Sequence, residues 1–215
     1  MYDWVTHTWN TMKGECPHGC HYCYMTKWGP QKPLRFSADE LKDDLDDGNT
    51  IFVGSSCDMF ANAIPDEWIV QTLAHCRAFD ENRYLFQSKN PQRIYDFREQ
   101  LPMDVIVGTT IESDIRFPEM GRAPGVVERA YNMRKLKEAR FKTMITIEPV
   151  MQFNLDDLVK MITDCRPEWV NIGANTNYKV RLEEPSFEKI EGLIERLNGI
   201  TEVKVKANLK RLRGI

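Results

Sequence analysis

The sequence predicts an α/β protein built as a partial barrel of six β/α units. Three observations carry that expectation. Short apolar runs rich in β-branched and aromatic residues recur along the chain after an opening strand and a cysteine-rich loop. Segments with apolar residues at helical spacing separate them. The runs are brief and bounded by turn residues, as strands buried on both faces are. Such alternation argues for a parallel sheet with right-handed crossovers. Units of this size suit a partial version of the eight-unit barrel.

Each element follows from local signals. Tyr2–Trp9 is aromatic and β-branched and reads as the first strand, with the cysteine loop after it. Ser37-Ala38-Asp39-Glu40 is a capping-box pattern and predicts a short helix ending near Gly48. Thr50–Gly54 is the second strand, and Pro65 opens a helix with Ile69, Leu73 and Cys76 on one face. Arg83–Gln87 is the third strand; Asn90-Pro91 then predicts an N-cap, with Ile94, Phe97 and Leu101 at helical spacing. Asp104–Ile111 is the fourth strand, followed by a helix carrying Val127, Ala130, Met133 and Leu136. Lys142–Ile147 is the fifth, with Asn154 capping the next helix. Glu168–Gly173 is the sixth, a helix starts near Ser186, and Val203–Lys206 is a short seventh strand. No composition shift divides the chain, so residues 1–215 are expected to form one domain.

Composition excludes several classes. No apolar run is long enough for a membrane span, so no membrane partner is expected. Met1-Tyr2-Asp3-Trp4 lacks the basic and apolar regions of a signal peptide, and free thiols suit a reducing compartment, so a cytoplasmic setting is expected. The net charge of −3 argues against a generally basic nucleic-acid binder, although Lys204, Lys206, Lys210, Arg211 and Arg213 crowd one end.

The chemistry centres on Cys16-Pro17-His18-Gly19-Cys20-His21-Tyr22-Cys23-Tyr24. Three thiols spaced C-x3-C-x2-C in one loop can grip one face of an iron–sulfur cube. Inert electron carriers use four cysteines. Three leave one iron open, as catalytic metal sites leave a coordination position open. The alternative for the same thiols is a structural zinc site completed by His7, His18 or His21. Structural zinc sites usually pair two short knuckles, whereas this chain has one.

The C-x3-C-x2-C spacing with Tyr22 before the third cysteine resembles the signature of radical S-adenosylmethionine (SAM) enzymes. Over most of its length the chain is similar to a small radical SAM family of phages and bacteria related to spore photoproduct lyase. The matching residues are Trp9-Asn10, Cys20 to Tyr24, Phe52-Val53 through Asp58-Met59-Phe60, Ser88-Lys89, Gly108 through Glu112, and Ile147-Glu148-Pro149. The resemblance implies a (β/α)6 partial barrel of the radical SAM type. It also implies a [4Fe–4S] cluster on Cys16, Cys20 and Cys23, SAM on the open iron, and an electron donor such as flavodoxin or ferredoxin. SAM is then split to a 5′-deoxyadenosyl radical that abstracts hydrogen from a substrate. A phage-encoded member would work in the host cytoplasm.

Ligands of parallel barrels sit at the carboxyl ends of strands, so the residues after each strand are the candidates. In the resembling family, the residue at Tyr22 contacts adenine. After strand two, Gly54-Ser55-Ser56 stands where the family has Gly-Gly-Glu; Ser55 and Ser56 are expected to receive the SAM amino group, or else to be turn residues. Asp58 is a candidate for an ammonium or ribose hydroxyl, or a helix cap. Ser88 and Lys89 follow strand three, where the lysine suits the SAM carboxylate or a substrate anion. Thr110 and Glu112 are expected to meet the ribose diol. Ile147 is either an adenine flank or plain core, and Glu148, at a strand end, needs a ligand or a cationic partner. Cys57 is a candidate hydrogen-atom donor to a product radical, the alternative being inert packing. Asn171 and Asn175 can read amide or base edges, while Cys76 and Cys165 fall on apolar helix faces.

The expected substrate is a nucleotide or DNA base, in phage-type hypermodification or rearrangement. Lys89, Arg116, Arg122 and the basic C-terminal run are expected to meet phosphate or carboxylate. The competing readings are a radical SAM enzyme acting on a peptide and a non-catalytic iron–sulfur or zinc module.

Overall fold

The computed structural model describes residues 2–213. In chain order the strands are β1 (His7–Trp9), β2 (Met12–Lys13), β3 (Arg35–Phe36), β4 (Thr50–Val53), β5 (Arg83–Gln87), β6 (Val105–Thr110), β7 (Lys142–Ile147), β8 (Trp169–Ile172) and β9 (Glu202–Val205). The helices are α1 (Asp66–Ala78), α2 (Pro91–Asp96), α3 (Val126–Glu138), α4 (Leu155–Cys165) and α5 (Phe187–Asn198). β2 and β3 pair antiparallel as a small ribbon. The other seven form one sheet in the order β1-β4-β5-β6-β7-β8-β9, with each neighbouring pair parallel.

Sequential order means that every crossover advances one strand in the same direction. The helices therefore gather on one face, where α2 packs on α3, α3 on α4 and α4 on α5. Val53, Phe86, Val107, Ile145, Ile147, Val170 and Ile172 point into that layer and meet Leu73, Met133, Leu136, Ile162 and Leu193. The alternate residues Leu85, Ile106, Met144 and Trp169 face the other way, into the barrel. Tyr2, Trp4, Val5 and Phe52 pack with them and plug its lower end. The result is a partial barrel, as the alternation of elements implies.

One layer higher the inward face turns polar. Thr110, Thr146, Asn171 and Lys204 lie in direct register across β6, β7, β8 and β9. Gln87 joins them from β5, donating to Thr110 Oγ1 at 3.3 Å. The Tyr2 hydroxyl lies 2.7 Å from both Gln87 Oε1 and Thr146 Oγ1.

Several elements differ from expectation. The first strand is limited to His7–Trp9; Tyr2 and Trp4 stack on each other and turn into the incomplete barrel, where aromatic surface is buried more fully than on a sheet edge. The helix expected after Ser37 is only a 3-10 segment, Ala38–Lys42, without a side-chain cap. The Asn90 side chain donates to Phe60 O and Asn62 Oδ1 instead of capping α2, which ends at Asp96. Asn154 likewise gives its amide to Asp114. Ser186 does cap α5, accepting from the Lys189 N–H at 3.3 Å. Val127 is 67% exposed and lies off the buried face of α3.

Tyr2 tests the plug. Tyr2→Phe keeps the ring and is expected to lower unfolding free energy by about 1 kcal/mol, the net worth of its hydrogen bonding. Tyr2→Ala also opens a cavity and is expected to cost about 3–5 kcal/mol. Urea unfolding midpoints of the two variants check the difference.

Candidate active site

The carboxyl ends of the strands surround a cavity of about 1240 Å³. Cys16, Cys20 and Cys23 all line it. The loop that carries them is held on three sides. Beneath it, the β2–β3 ribbon pins the start, with the Glu15 N–H donating to Lys32 O at 2.8 Å. Gly14, at φ +99°, packs so closely there that a Cβ would meet Pro33 O at 2.4 Å.

Outside, the segment after β6 cups the loop. His21 N donates to Glu119 O at 2.9 Å, Arg122 N to His18 O at 2.6 Å and Arg122 Nε to Pro17 O at 2.8 Å. The Cys20 thiol donates to Met120 O at 3.3 Å. Gly121 has φ +64°, and a Cβ on it would lie 2.3 Å from His18 O.

Two carboxylates complete the grip from inside. His18 Nε2 lies 2.8 Å from Asp58 Oδ2, which also accepts from Ser88 Oγ at 3.0 Å and Lys89 N at 2.8 Å. Burial opposes ionisation of Asp58, but His18 and these donors outweigh it and lower its pKa. Glu112 is fully buried, and Arg129 Nη1 donates to its Oε2 at 2.8 Å. Its Oε1 takes hydrogen bonds from Lys89 and from the Tyr22 hydroxyl. Burial would raise this carboxyl, yet Lys89, Arg129 and the two hydrogen bonds bring it down to about 2.

The thiols are electrically distinct. Cys57, 2% exposed, is the neighbour that lowers the pKa of Cys16 and so favours its thiolate. Burial raises the pKa of Cys20 and of Cys23, and a negative Cys16 raises both further. Among the described residues, no three His, Cys, Asp or Glu side chains converge as a single-ion site requires. His18 is engaged with Asp58, and the exposed His7 ring bonds Thr6 on the edge strand. Three thiols on one cavity wall are soft donors of the kind iron–sulfur clusters use, and His21 lines the same cavity.

Of the residues singled out in the sequence, Tyr22, Ser55, Ser56, Cys57, Asp58, Ser88, Lys89, Thr110 and Glu148 line the cavity together. Glu112 and Ile147 do not. Glu112, expected at a ribose diol, is packed behind that lining, where its Oε1 accepts from Lys89 and Tyr22 and its Oε2 from Arg129. Ile147 is fully buried core. Glu148 finds its cation in Lys206 and accepts from Asn208 Nδ2 at 2.7 Å. The expected phosphate contacts are also rearranged. Lys89 is bound to Glu112, Arg116 ties its own loop through Ala123 O and Gly121 O, and Arg122 clamps Pro17. Arg211 pairs with Glu184. Asn171 lines the cavity, and so does Asn175, whose amide is spent on Asn177 O and Val180 O.

Some site residues escaped the strand-end reading. Asn10 Oδ1 accepts from Ser56 N and Ser56 Oγ, each at 3.0 Å, and so shapes the Gly54-Ser55-Ser56 turn. Tyr2, Gln87 and Thr146 line the cavity from the barrel interior. Polar residues at every second position within otherwise apolar strands are the signal that points to the last two.

Two variants probe this grip. Glu112 has a depressed pKa, so its contribution to stability is fully present above the ordinary value of 4.5 and is lost as pH falls toward about 2. Glu112→Gln is expected to cost about 3–5 kcal/mol near neutral pH by leaving buried Arg129 uncompensated. It should also flatten the fall in stability across that acid window; urea midpoints near neutral pH and near pH 3 check both. Gly121→Ala, through φ and clash alike, should loosen the loop and speed alkylation of Cys20 in protein free of metal.

Solved structures of similar fold include spore photoproduct lyase and Streptococcus suis SuiB, both radical SAM enzymes. A spore photoproduct lyase mutant with bound AdoMet and dinucleoside spore photoproduct matches at TM-score 0.55 and 12% identity, over 89% of this chain and 60% of that one. A second mutant matches at TM-score 0.62 and 10% identity, over 90% and 74%. SuiB matches at TM-score 0.65 and 7% identity, over 97% and 51%. The chain thus spans 60% of the first lyase and about half of SuiB. At these identities the likeness is one of fold, and it is the partial barrel expected from the sequence. A search of the curated proteins gave no match. A family model described as a protein of unknown function, DUF5131, matches residues 1–189, and the chain belongs to that family.

Proposed function

We propose that this chain is a radical SAM enzyme with Cys16, Cys20 and Cys23 as the ligands of one [4Fe–4S] cluster. The observation that carries the reading is the place of these thiols: one loop, one cavity wall, at the carboxyl ends of parallel strands. When bound and reduced, the cluster supplies the electron that splits SAM into methionine and a 5′-deoxyadenosyl radical able to take hydrogen from a substrate. A flavodoxin or ferredoxin is the fitting donor, and a reducing cytoplasm, that of the host if the protein is phage-encoded, is the fitting setting.

The chain's own residues bind and orient. Ser55 and Ser56 offer acceptors to the SAM ammonium, with Asn10 fixing their turn. Thr110 faces the ribose, while Asp58, Ser88 and Glu148 line the same space. Tyr22 presents its backbone toward adenine, held in place by Glu112 and Lys89. Glu112 thereby acts by positioning, and Ile147 as support beneath. Cys57, beside Cys16 and on the cavity wall, is the hydrogen-atom donor that quenches a product radical; the thiyl radical left on it is returned to the thiol by one electron from the flavodoxin or ferredoxin donor and one proton from solvent.

The substrate is a nucleotide or a DNA base. Gln87, Thr146 and Asn171 form a polar lining suited to the edges of a heterocycle. The dinucleoside bound by spore photoproduct lyase in a like fold adds weight by analogy.

Anaerobic reconstitution tests the chemistry. The wild-type protein should take up four irons per chain, as a [4Fe–4S] cluster requires, and release 5′-deoxyadenosine on reduction with SAM. Cys20→Ala should lose both; a full iron complement in that variant would refute the ligand set. A colourless protein carrying zinc would make it a binding module, and a brown one inert toward SAM a carrier. Cys57→Ala should keep cluster and SAM cleavage while abolishing solvent deuterium incorporation into product, read by mass shift. Unchanged incorporation would remove Cys57 from the mechanism. Stimulation of 5′-deoxyadenosine release by a peptide and not by nucleosides or DNA would reverse the substrate reading.

A further inference from the structure

The rim of the cavity carries features that the buried site does not explain. Two segments meet there. One is the 3-10 turn Tyr24–Trp28 directly after Cys23; the other is the loop 175–180 after β8. Asn177 Nδ2 joins them, donating to Cys23 O at 3.1 Å and Thr26 Oγ1 at 2.8 Å, and Lys179 Nζ adds a bond to Lys27 O at 3.1 Å. Their aromatic residues nevertheless face solvent. Trp28 is 79% exposed and Tyr178 82%. Large rings left this open on two segments that touch are unusual for a surface without a partner.

The charges beside them are also free. Lys27, Lys179 and Lys210 pair with no carboxylate among the described residues, and Lys27 and Lys210 line the cavity. Of the four carboxylates on that lining, Asp58 and Glu148 are held by His18 and Lys206, while Asp3 and Glu15 pair with no cation among the described residues and are outnumbered by the lysines there. The protein as a whole is acidic, at −3, so this cationic, aromatic rim stands against its background.

Exposed rings interleaved with free lysines are the chemistry of a strand with unstacked bases and a phosphate backbone. We infer that this rim is a docking surface for single-stranded nucleic acid: bases stack on Trp28 and Tyr178, Lys27, Lys179 and Lys210 meet phosphates, and one nucleotide is presented to the cavity. The inference rests on the nucleotide reading of the substrate and extends it from a base to a strand. A duplex does not fit, because its base faces are stacked away from the rings. The occupant is a DNA strand, in keeping with the DNA-base reading of the substrate, and an RNA strand of the same sequence is the control.

The test is fluorescence anisotropy with the anaerobically purified protein and labelled oligonucleotides of about 12 residues, long enough to cross the rim. Single-stranded DNA, single-stranded RNA of the same sequence, blunt duplex and free mononucleotide are compared. Single-stranded DNA should bind more tightly than the RNA strand, the duplex or the mononucleotide, and equal or tighter binding of RNA would overturn the inference. Three phosphate contacts predict a log–log salt slope of about −2. Trp28→Ala and Tyr178→Ala should each weaken binding by roughly 5- to 150-fold, the range for loss of one stacked base. Trp28→Phe and Tyr178→Phe should recover most of it. Lys27→Glu with Lys179→Glu should flatten the slope. Equal or tighter duplex binding, alanine variants that bind like wild type, or tight binding of a peptide alone would overturn the inference. Release of 5′-deoxyadenosine without added nucleic acid is measured in parallel and should be unchanged in Trp28→Ala. SAM cleavage without strand binding sinks the docking surface alone. Strand binding without SAM cleavage sinks the enzymatic reading and leaves the surface standing.

Discussion

A carboxylate with no exposure to solvent ties the molecule together. Glu112 stands just past β6, between Arg129 on α3, Lys89 just past β5 and Tyr22 in the cysteine loop. An isolated charge at that depth would be untenable. Its partners make it tolerable, and in doing so they fix the distance between sheet, helix layer and loop. The Arg129 guanidinium is itself anchored, donating also to Thr110 O at 2.7 Å and Pro124 O at 2.8 Å. Replacement of one member leaves the others charged and buried, so the group works as a unit.

Asp58 does the same for the other half of the loop. Through His18, Ser88 and the Lys89 N–H it joins the turn after β4 to the turn after β5 and to the residues between Cys16 and Cys20. Three thiols within eight residues of irregular backbone would otherwise sample many arrangements. Two carboxylate anchors, a ribbon beneath and Gly121 outside reduce that freedom, and side chains arranged in advance lose less entropy when they engage a partner.

How legible this was depended on the range of the interaction. β5 and β7 were found at their observed bounds because both are dense β-rich runs flanked by turns. The β1 region failed because Tyr2 and Trp4 are strand-like in isolation; only an incomplete barrel with space inside makes them a plug. Cap residues misled for a similar reason. Asn90 and Asn154 have the right chemistry for a helix start, but partners remote in sequence, at Asn62 and Asp114, took their amides. That the three cysteines share one cavity wall was legible because their signal is local spacing. Glu112 was not, since nothing near it in sequence announces that Arg129, a full helix entrance away, claims one oxygen and Tyr22 shares the other.

The inward-facing row of Thr110, Thr146 and Asn171 has a thermodynamic consequence. A barrel interior lined with hydroxyls and amides stays wet when empty. A ligand entering it exchanges water's hydrogen bonds for those of the protein and removes little apolar surface from solvent. Association in that chamber should therefore be driven by enthalpy, with a small change in heat capacity, whereas contact with the aromatic plug beneath would register as a more negative one. Calorimetry across a range of temperatures would thus report how deep a ligand sits.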